Sequence, residues 1–110
     1  MSFIIQDAWQ KATSTSSQRL DISAAITAIA AKVKNPVVAV ITTETQDLVV
    51  KCGDVAVDAS DTLTSDKFPT GNYPCVAGSV QEIAVGRGNT HIAFKAEGVG
   101  NIKIAIGYNE

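Results

Sequence analysis

The last third of the chain alternates short apolar runs with glycine-rich turns, and this pattern constrains the fold more than any other feature. The runs 80–85, 90–96 and 102–107 are separated by the turns 86–89 and 97–101. Glycine takes the backbone conformations that tight turns need at little steric cost. Runs of this length between such turns predict three strands. Because both connections are short, we expect neighbouring strands to be antiparallel.

Side-chain alternation in these strands predicts one packed face and one face in water. Ile102, Ile104 and Ile106 share one face of the last strand, while Lys103 lies on the other. The apolar residues of the chain are mainly Val, Ile and Ala, and β-branched residues favour strands. The sequence therefore predicts an all-β fold, a small antiparallel β-sandwich.

Two earlier segments are also predicted strands. Residues 37–41 form a continuous β-branched run, which is typical of a strand buried on both faces or in a sandwich core. With residues 48–52 this run predicts a hairpin across the polar loop 42–47. Residues 18–23 alternate as a half-buried strand, and the alanine-rich stretch 24–33 predicts one short helical segment of a turn or two before Asn35-Pro36.

The chain has the size and composition of one domain. It has 110 residues, 45% hydrophobic and 18% charged, which is enough to form a single core. We expect residues 18–110 to form this domain and residues 1–17 to form an N-terminal arm with a Ser/Thr-rich spacer at 13–17.

The apolar residues of this arm are the candidate partner-binding residues, namely Phe3, Ile4, Ile5 and Trp9. Two interpretations stay open for them. The arm folds back onto the core of its own domain, or it docks on a neighbouring subunit.

Charge and hydropathy argue against nucleic acid and membrane partners. The net charge is −2, and the sequence contains no cluster of Lys and Arg that would bind a phosphate backbone. The uncharged, mostly apolar stretch 22–31 is too short to cross a bilayer. The first residues lack a basic leader followed by a long apolar run, so we expect no secretory signal.

Residues suited to catalysis or metal binding are few and scattered. His91 is the single histidine, so a second imidazole ligand is absent from the sequence. Cys52 and Cys75 are too far apart for a CxxC unit, and we interpret both as small buried apolar residues, bridged only if the fold brings them together. We expect no catalytic site, no metal and no cofactor.

Four aspartates lie between residues 54 and 66, and carboxylates are the ligands that a calcium site would need. Asp54, Asp58, Asp61 and Asp66 lack the alternate spacing and central glycine of an EF-hand loop. An acidic, solvated surface is the preferred interpretation.

The order of short motifs from residue 68 onward resembles small virion proteins of tailed bacteriophages. In chain order the motifs are Phe68-Pro69, Pro74, Ala77-Gly78-Ser79-Val80-Gln81-Glu82-Ile83, Gly86, Thr90-His91-Ile92-Ala93 and Ile106-Gly107-Tyr108. In those proteins a similar order closes a β-sandwich. The size and layout look like the capsid decoration, or staple, proteins of epsilon-fifteen-type short-tailed phages.

This resemblance implies a jelly-roll-like sandwich that binds the outside of the major capsid lattice and stabilises the phage head. It implies the major capsid protein as partner, a homodimer or other homo-oligomer, and a virion protein made in the host bacterial cytoplasm. Two alternatives stay open: a glycan- or receptor-binding module of a phage tail or fibre, and a head-tail connector or stopper. The aromatic side chains Trp9, Tyr73 and Tyr108 are the candidates for sugar stacking in the first alternative.

Overall fold

The computed structural model describes residues 2–63, 65 and 69–110. These residues form eight strands and one helix, whose bounds follow in chain order: β1 (Phe3–Ala12), β2 (Gln18–Asp21), α1 (Ser23–Lys32), β3 (Val37–Thr43), β4 (Leu48–Gly53), β5 (Tyr73–Cys75), β6 (Val80–Val85), β7 (His91–Ala96) and β8 (Asn101–Asn109). The long connection between β4 and β5 contains the residues that the structure does not describe.

The strands form two four-stranded antiparallel sheets. Sheet 1 has the order β1-β8-β3-β6, and sheet 2 has the order β2-β7-β4-β5. The pairs β1–β8, β2–β7, β3–β6 and β4–β5 are nested, as if one long hairpin had been rolled up, and β3–β8 and β4–β7 join the rolled halves. This is the eight-stranded jelly-roll arrangement, which confirms the predicted all-β sandwich.

The core lies between the sheets and consists of the inward-facing residues of alternate strand positions. Ile102, Ile104 and Ile106 of β8 are at most 1% exposed, as their alternation predicts. They pack with Ile41 of β3 and with Phe94 of β7 across the sandwich. Burying such side chains contributes about 1.5–3 kcal/mol each relative to leaving them in water, which makes β8 a central element of stability.

The single helix is longer than predicted. α1 has ten residues, about three turns, because its alanines favour helix and because Ile26 and Ile29 anchor it in the core. It ends before the predicted stop at Asn35-Pro36. The Arg87 guanidinium donates hydrogen bonds to the carbonyl oxygens of Val33 and Asn35 just beyond the helix.

Strand pairing differs from the sequence-based expectation in two places. β3 and β4 were predicted to form a hairpin, yet β3 lies in sheet 1 and β4 in sheet 2. Likewise β6, β7 and β8 do not form one antiparallel block, because β7 lies in sheet 2 whereas β6 and β8 lie in sheet 1. A turn of about five residues can span the ~10 Å between packed sheets as easily as it can join neighbours in one sheet, so turn length alone does not distinguish these arrangements.

The predicted N-terminal arm is an edge strand of the domain. Residues 3–12 pair with β8 along its whole length, so the structure places them inside the sandwich rather than outside a domain that starts at residue 18. The start of the predicted spacer, at Thr13, is also bonded to the rest of the domain. Thr13 is 3% exposed, its amide donates to the Gly100 carbonyl, and its hydroxyl donates to the Gly98 carbonyl.

Candidate binding face

The outward side of sheet 1 is a broad apolar surface, which we call the open face. Residues directly opposite each other in adjacent strands share a face, so the registers identify its members. They are Phe3, Ile5, Ala8, Gln10, Val38, Val40, Thr42, Val80, Glu82, Ala84, Lys103, Ala105 and Gly107. Only two of these side chains, Glu82 and Lys103, carry a charge.

Small side chains make the centre of the open face shallow. Ala8, Val40 and Ala105 line a depression of about 250 Å³. At its margins Ile5 is 58% exposed and Val80 is 64% exposed. An apolar surface with few charges is typical of a docking surface for a macromolecule.

The outward side of sheet 2 is covered by the chain itself. Val57 and Ala59, from the β4–β5 connection, pack on Val49 of β4 and Ala93 of β7 in a second buried cluster. This connection therefore covers the outward apolar side chains of sheet 2 and shields them from solvent.

Polar contacts fix that connection in place. The Arg19 guanidinium donates to the Val57 carbonyl at 2.6 Å and forms an ion pair with Asp58. Farther along, the Lys95 ammonium lies 2.6 Å from an Asp61 carboxylate oxygen. The two sides of the sandwich thus differ, since sheet 1 has no corresponding cover among the described residues.

The four residues predicted to bind a partner divide between the two sides of sheet 1. Phe3 and Ile5 pair with Asn109 and Gly107 on the open face. Ile4 and Trp9 lie on the inward side; Trp9 is opposite Ile104 and packs against the core. The structure therefore places the side chains of Phe3 and Ile5, but not those of Ile4 and Trp9, on the candidate surface.

A close approach between β1 and β8 positions this end of the open face. The register shifts between Ile5 and Asp7, which marks a β-bulge. At the bulge, a β-carbon on Gly107 would collide with the carbonyl oxygen of Ile4 and would lie 2.9 Å from Cζ of Phe3. Glycine at 107 allows β1 to lie this close, and it seats the Phe3 ring over β8.

A second depression lies beside sheet 2. It has a volume of about 170 Å³, with Leu48, Cys75 and Ala96 among its lining residues and the Asp61–Lys95 ion pair also bordering it. The hydrogen bond from Lys95 holds the pKa of the Asp61 carboxyl below its usual value. A carboxylate that stays ionised and paired is suited to structure rather than to proton transfer.

The two thiols are unsuited to nucleophilic chemistry. Burial raises the pKa of Cys75 to about 11 and also raises the pKa of Cys52. Both cysteines are free. Cys75 pairs with Leu48, four residues before Cys52 on the same strand, or about 13 Å along it, which exceeds the reach of a disulfide. Cys75 is buried as predicted, whereas Cys52 is only partly buried.

His91 begins β7 and is half-buried, with Nδ1 2.8 Å from the Thr90 hydroxyl. The aspartates do not converge on one site. Asp54 accepts a hydrogen bond from the Ala56 amide, while Asp58 and Asp61 form ion pairs with different cationic side chains. Asp66 lies outside the described residues, as does Phe68 of the motif order. Residues 2–63, 65 and 69–110 contain no group of three or more His, Cys, Asp or Glu that could hold a metal.

No helix in the described part of the chain is long and apolar enough to cross a membrane. No protein-family model matches the chain, and no curated protein or solved structure shows significant similarity to it.

The central residues of the open face were not identified from the sequence. The available signal was the uninterrupted β-branched run 37–41, which was interpreted as a strand buried on both faces or in a sandwich core. One set of alternate residues in that run, with Ala39 and Ile41, is in the core. The other set, with Val38 and Val40, lies on the open face.

Proposed function

We propose that this chain is a non-enzymatic phage virion protein that binds the outer surface of the major capsid lattice through its open face and stabilises the head. The observation that carries the proposal is the difference between the two outer sides of the sandwich. The chain covers its own apolar groups on sheet 2 with Val57 and Ala59 but leaves Val40, Ala105 and Ile5 of sheet 1 uncovered.

The chemistry of the open face suits a broad, protein-sized partner. Its depression is shallow and lined by side chains as small as Ala8 and Ala105, so it offers little enclosure for a small molecule. Its two charges are of opposite sign, and Lys103 already pairs with Glu44 on the same chain at 3.3 Å. Apolar contact and shape, rather than charge attraction, would therefore dominate binding.

The virion assignment draws on the motif order from residue 68 onward, and the jelly roll is an architecture found in viral capsid and lectin domains. Sugar recognition has less support, because Trp9 belongs to sheet 1 and Tyr73 to sheet 2, so these rings do not form one stacking platform.

The test is co-sedimentation of the purified chain with expanded empty capsids of the phage that encodes it. We expect saturable binding at a copy number of hundreds per particle. We also expect that particles without the chain lose their DNA at lower temperature and on exposure to chelators. A dozen copies or fewer at one vertex would instead support a connector or tail protein and would overturn the proposal.

Two matched variants locate the surface. Ala105→Arg puts a long charged side chain in the centre of the open face, and Ala56→Arg puts the same group in the connection over sheet 2. We expect the first to abolish capsid binding and the second to leave it unchanged, with both variants keeping the wild-type circular dichroism spectrum. Equal binding by the two variants would contradict the role of the open face.

A further inference from the structure

The four edge strands of the sandwich differ in how well they resist pairing with another strand. An edge strand presents unpaired N–H and C=O groups, and proteins protect such edges with short strands, proline, charged side chains and bulges. β1 and β6 are the edges of sheet 1, and β2 and β5 are the edges of sheet 2.

Both edges of sheet 2 are protected. β5 has three residues and includes Pro74, which has no amide hydrogen to donate. β2 has four residues, and two of them, Arg19 and Asp21, are charged.

The β1 edge of sheet 1 is also protected. It contains the bulge at Gln6 and the charged residues Asp7 and Lys11. Side chains also bond two backbone groups of this strand, since Asp7 accepts from the Ala8 amide and the Gln18 side chain donates to the Ala12 carbonyl.

β6 has the weakest protection of the four edges, because its single charged side chain is Glu82. Its six residues, Val-Gln-Glu-Ile-Ala-Val, contain no proline and no cation. Its register with β3 is continuous from Val80 to Val85, without a bulge. β3 is the only strand that pairs with it among the described residues, so the opposite edge of β6 is free.

We propose that the free edge of β6 pairs antiparallel with β6 of a second copy of this chain, joining two copies of sheet 1 into one eight-stranded sheet. A two-fold axis through this contact places the same strand on both sides. A foreign strand would satisfy one free edge, whereas a second β6 satisfies two at once. This proposal goes beyond the proposed function and does not depend on it.

The charge of Glu82 selects the register. In a continuous sheet, opposite residues must share a face, so the outward residues Val80, Glu82 and Ala84 must oppose outward residues of the partner copy. Alignment of Glu82 with itself would place two carboxylates together. Shifting the alignment so that Ile83 opposes itself places Glu82 opposite Ala84 of the second copy and keeps the inward isoleucines in contact.

In this register, two substitutions at position 84 that introduce opposite charges should have opposite effects on dimer stability. Ala84 is exposed on the open face, so a longer side chain there is tolerated in the single copy. Ala84→Glu would place two like-charge pairs across the two-fold axis, and Ala84→Lys would place two opposite-charge pairs there. Ala8, which is exposed at the other edge strand of the same sheet, supplies the control Ala8→Glu.

The experiment is sedimentation equilibrium of the full chain at rising concentration, up to about 1 mM, the weak end of specific association. We expect the wild-type mass to rise from 11.5 kDa to twice that value and no further. Ala84→Glu should raise the dissociation constant of the dimer about tenfold, and Ala84→Lys should lower it about threefold. Ala8→Glu should leave it unchanged.

Amide hydrogen exchange supplies a readout that does not depend on the variants. Amides of β6 that face its free edge should exchange more slowly as the concentration rises, while those of β5 should not change. A wild-type chain that stays at 11.5 kDa throughout would overturn the proposal. So would equal effects of Ala84→Glu and Ala84→Lys, or loss of the dimer in Ala8→Glu.

Discussion

The carbonyl oxygen of Ile4 lies against Gly107, in the space that the β-carbon of any other residue at position 107 would need. Gly107→Ala should therefore push β1 away from β8 or distort the bulge. We expect the free energy of unfolding to fall by about 3 kcal/mol, the upper range for overpacking a well-packed site, as measured by urea denaturation.

Gly88→Ala is the matched control for this substitution. A β-carbon at Gly88 would meet no atom within 4 Å, and its backbone does not have a positive φ. It should change stability by at most about 0.5 kcal/mol, since only the freedom of the unfolded chain is altered. Equal losses in the two variants would contradict the close approach of Ile4 to Gly107.

The hydrogen bonds of Thr13 tie the β1–β2 connection to the β7–β8 turn. Its buried hydroxyl lies 3.0 Å from the Gly98 carbonyl oxygen. Thr13→Val keeps the shape of the side chain but leaves that carbonyl without its partner, so we expect a loss of about 1–2 kcal/mol in urea denaturation. Thr15→Val, at an exposed position of the same spacer, should be nearly neutral. A neutral Thr13→Val would show that water replaces the bond.

Strand positions were largely predictable from the sequence, but their assignment to sheets was not. The alternation of Ile102, Ile104 and Ile106 identified β8 and its buried face, because burial of one parity is a local property of a strand. The turn at 97–101 shows the limit of this local information. It links β7 to β8 across the sandwich, and its residues fit that link as well as a hairpin.

The candidate site was predictable only in part. Phe3 and Ile5 were identified because bulky apolar residues at a terminus suggest contact with something. Val40 and Ala105 were missed, because whether an outward apolar residue is covered depends on where a distant loop lies. Val57 and Ala59 could have covered either sheet, and their packing on Val49 and Ala93 is decided by tertiary structure alone.

The two cysteines should differ in reactivity in the folded protein. Because burial raises the pKa of Cys75 to about 11, roughly 0.1% of this thiol is ionised at pH 8, and its residue is 1% exposed. Cys52 is less buried, although its pKa is also raised. We expect iodoacetamide to label Cys52 first and Cys75 only in denaturant, as followed by mass spectrometry of peptides. Equal labelling rates in native buffer would contradict this packing of β5 against β4.

The ion pair between Asp61 and Lys95 should make stability depend on pH in the acid range. The hydrogen bond from Lys95 lowers the pKa of Asp61 in the folded chain, so the carboxylate stabilises the fold above its ordinary pKa near 3.8. That contribution is lost as the pH falls through the lowered value, because the folded state must then take up the proton. A two-dimensional NMR titration should find Asp61 titrating below 3.8 in the wild type and close to 3.8 in Lys95→Gln. The acid slope of the unfolding free energy should flatten to the same extent in Asp61→Asn, in Lys95→Gln and in the double variant, because each removes the same pair. An Asp61 pKa that Lys95→Gln leaves unchanged would contradict this pairing.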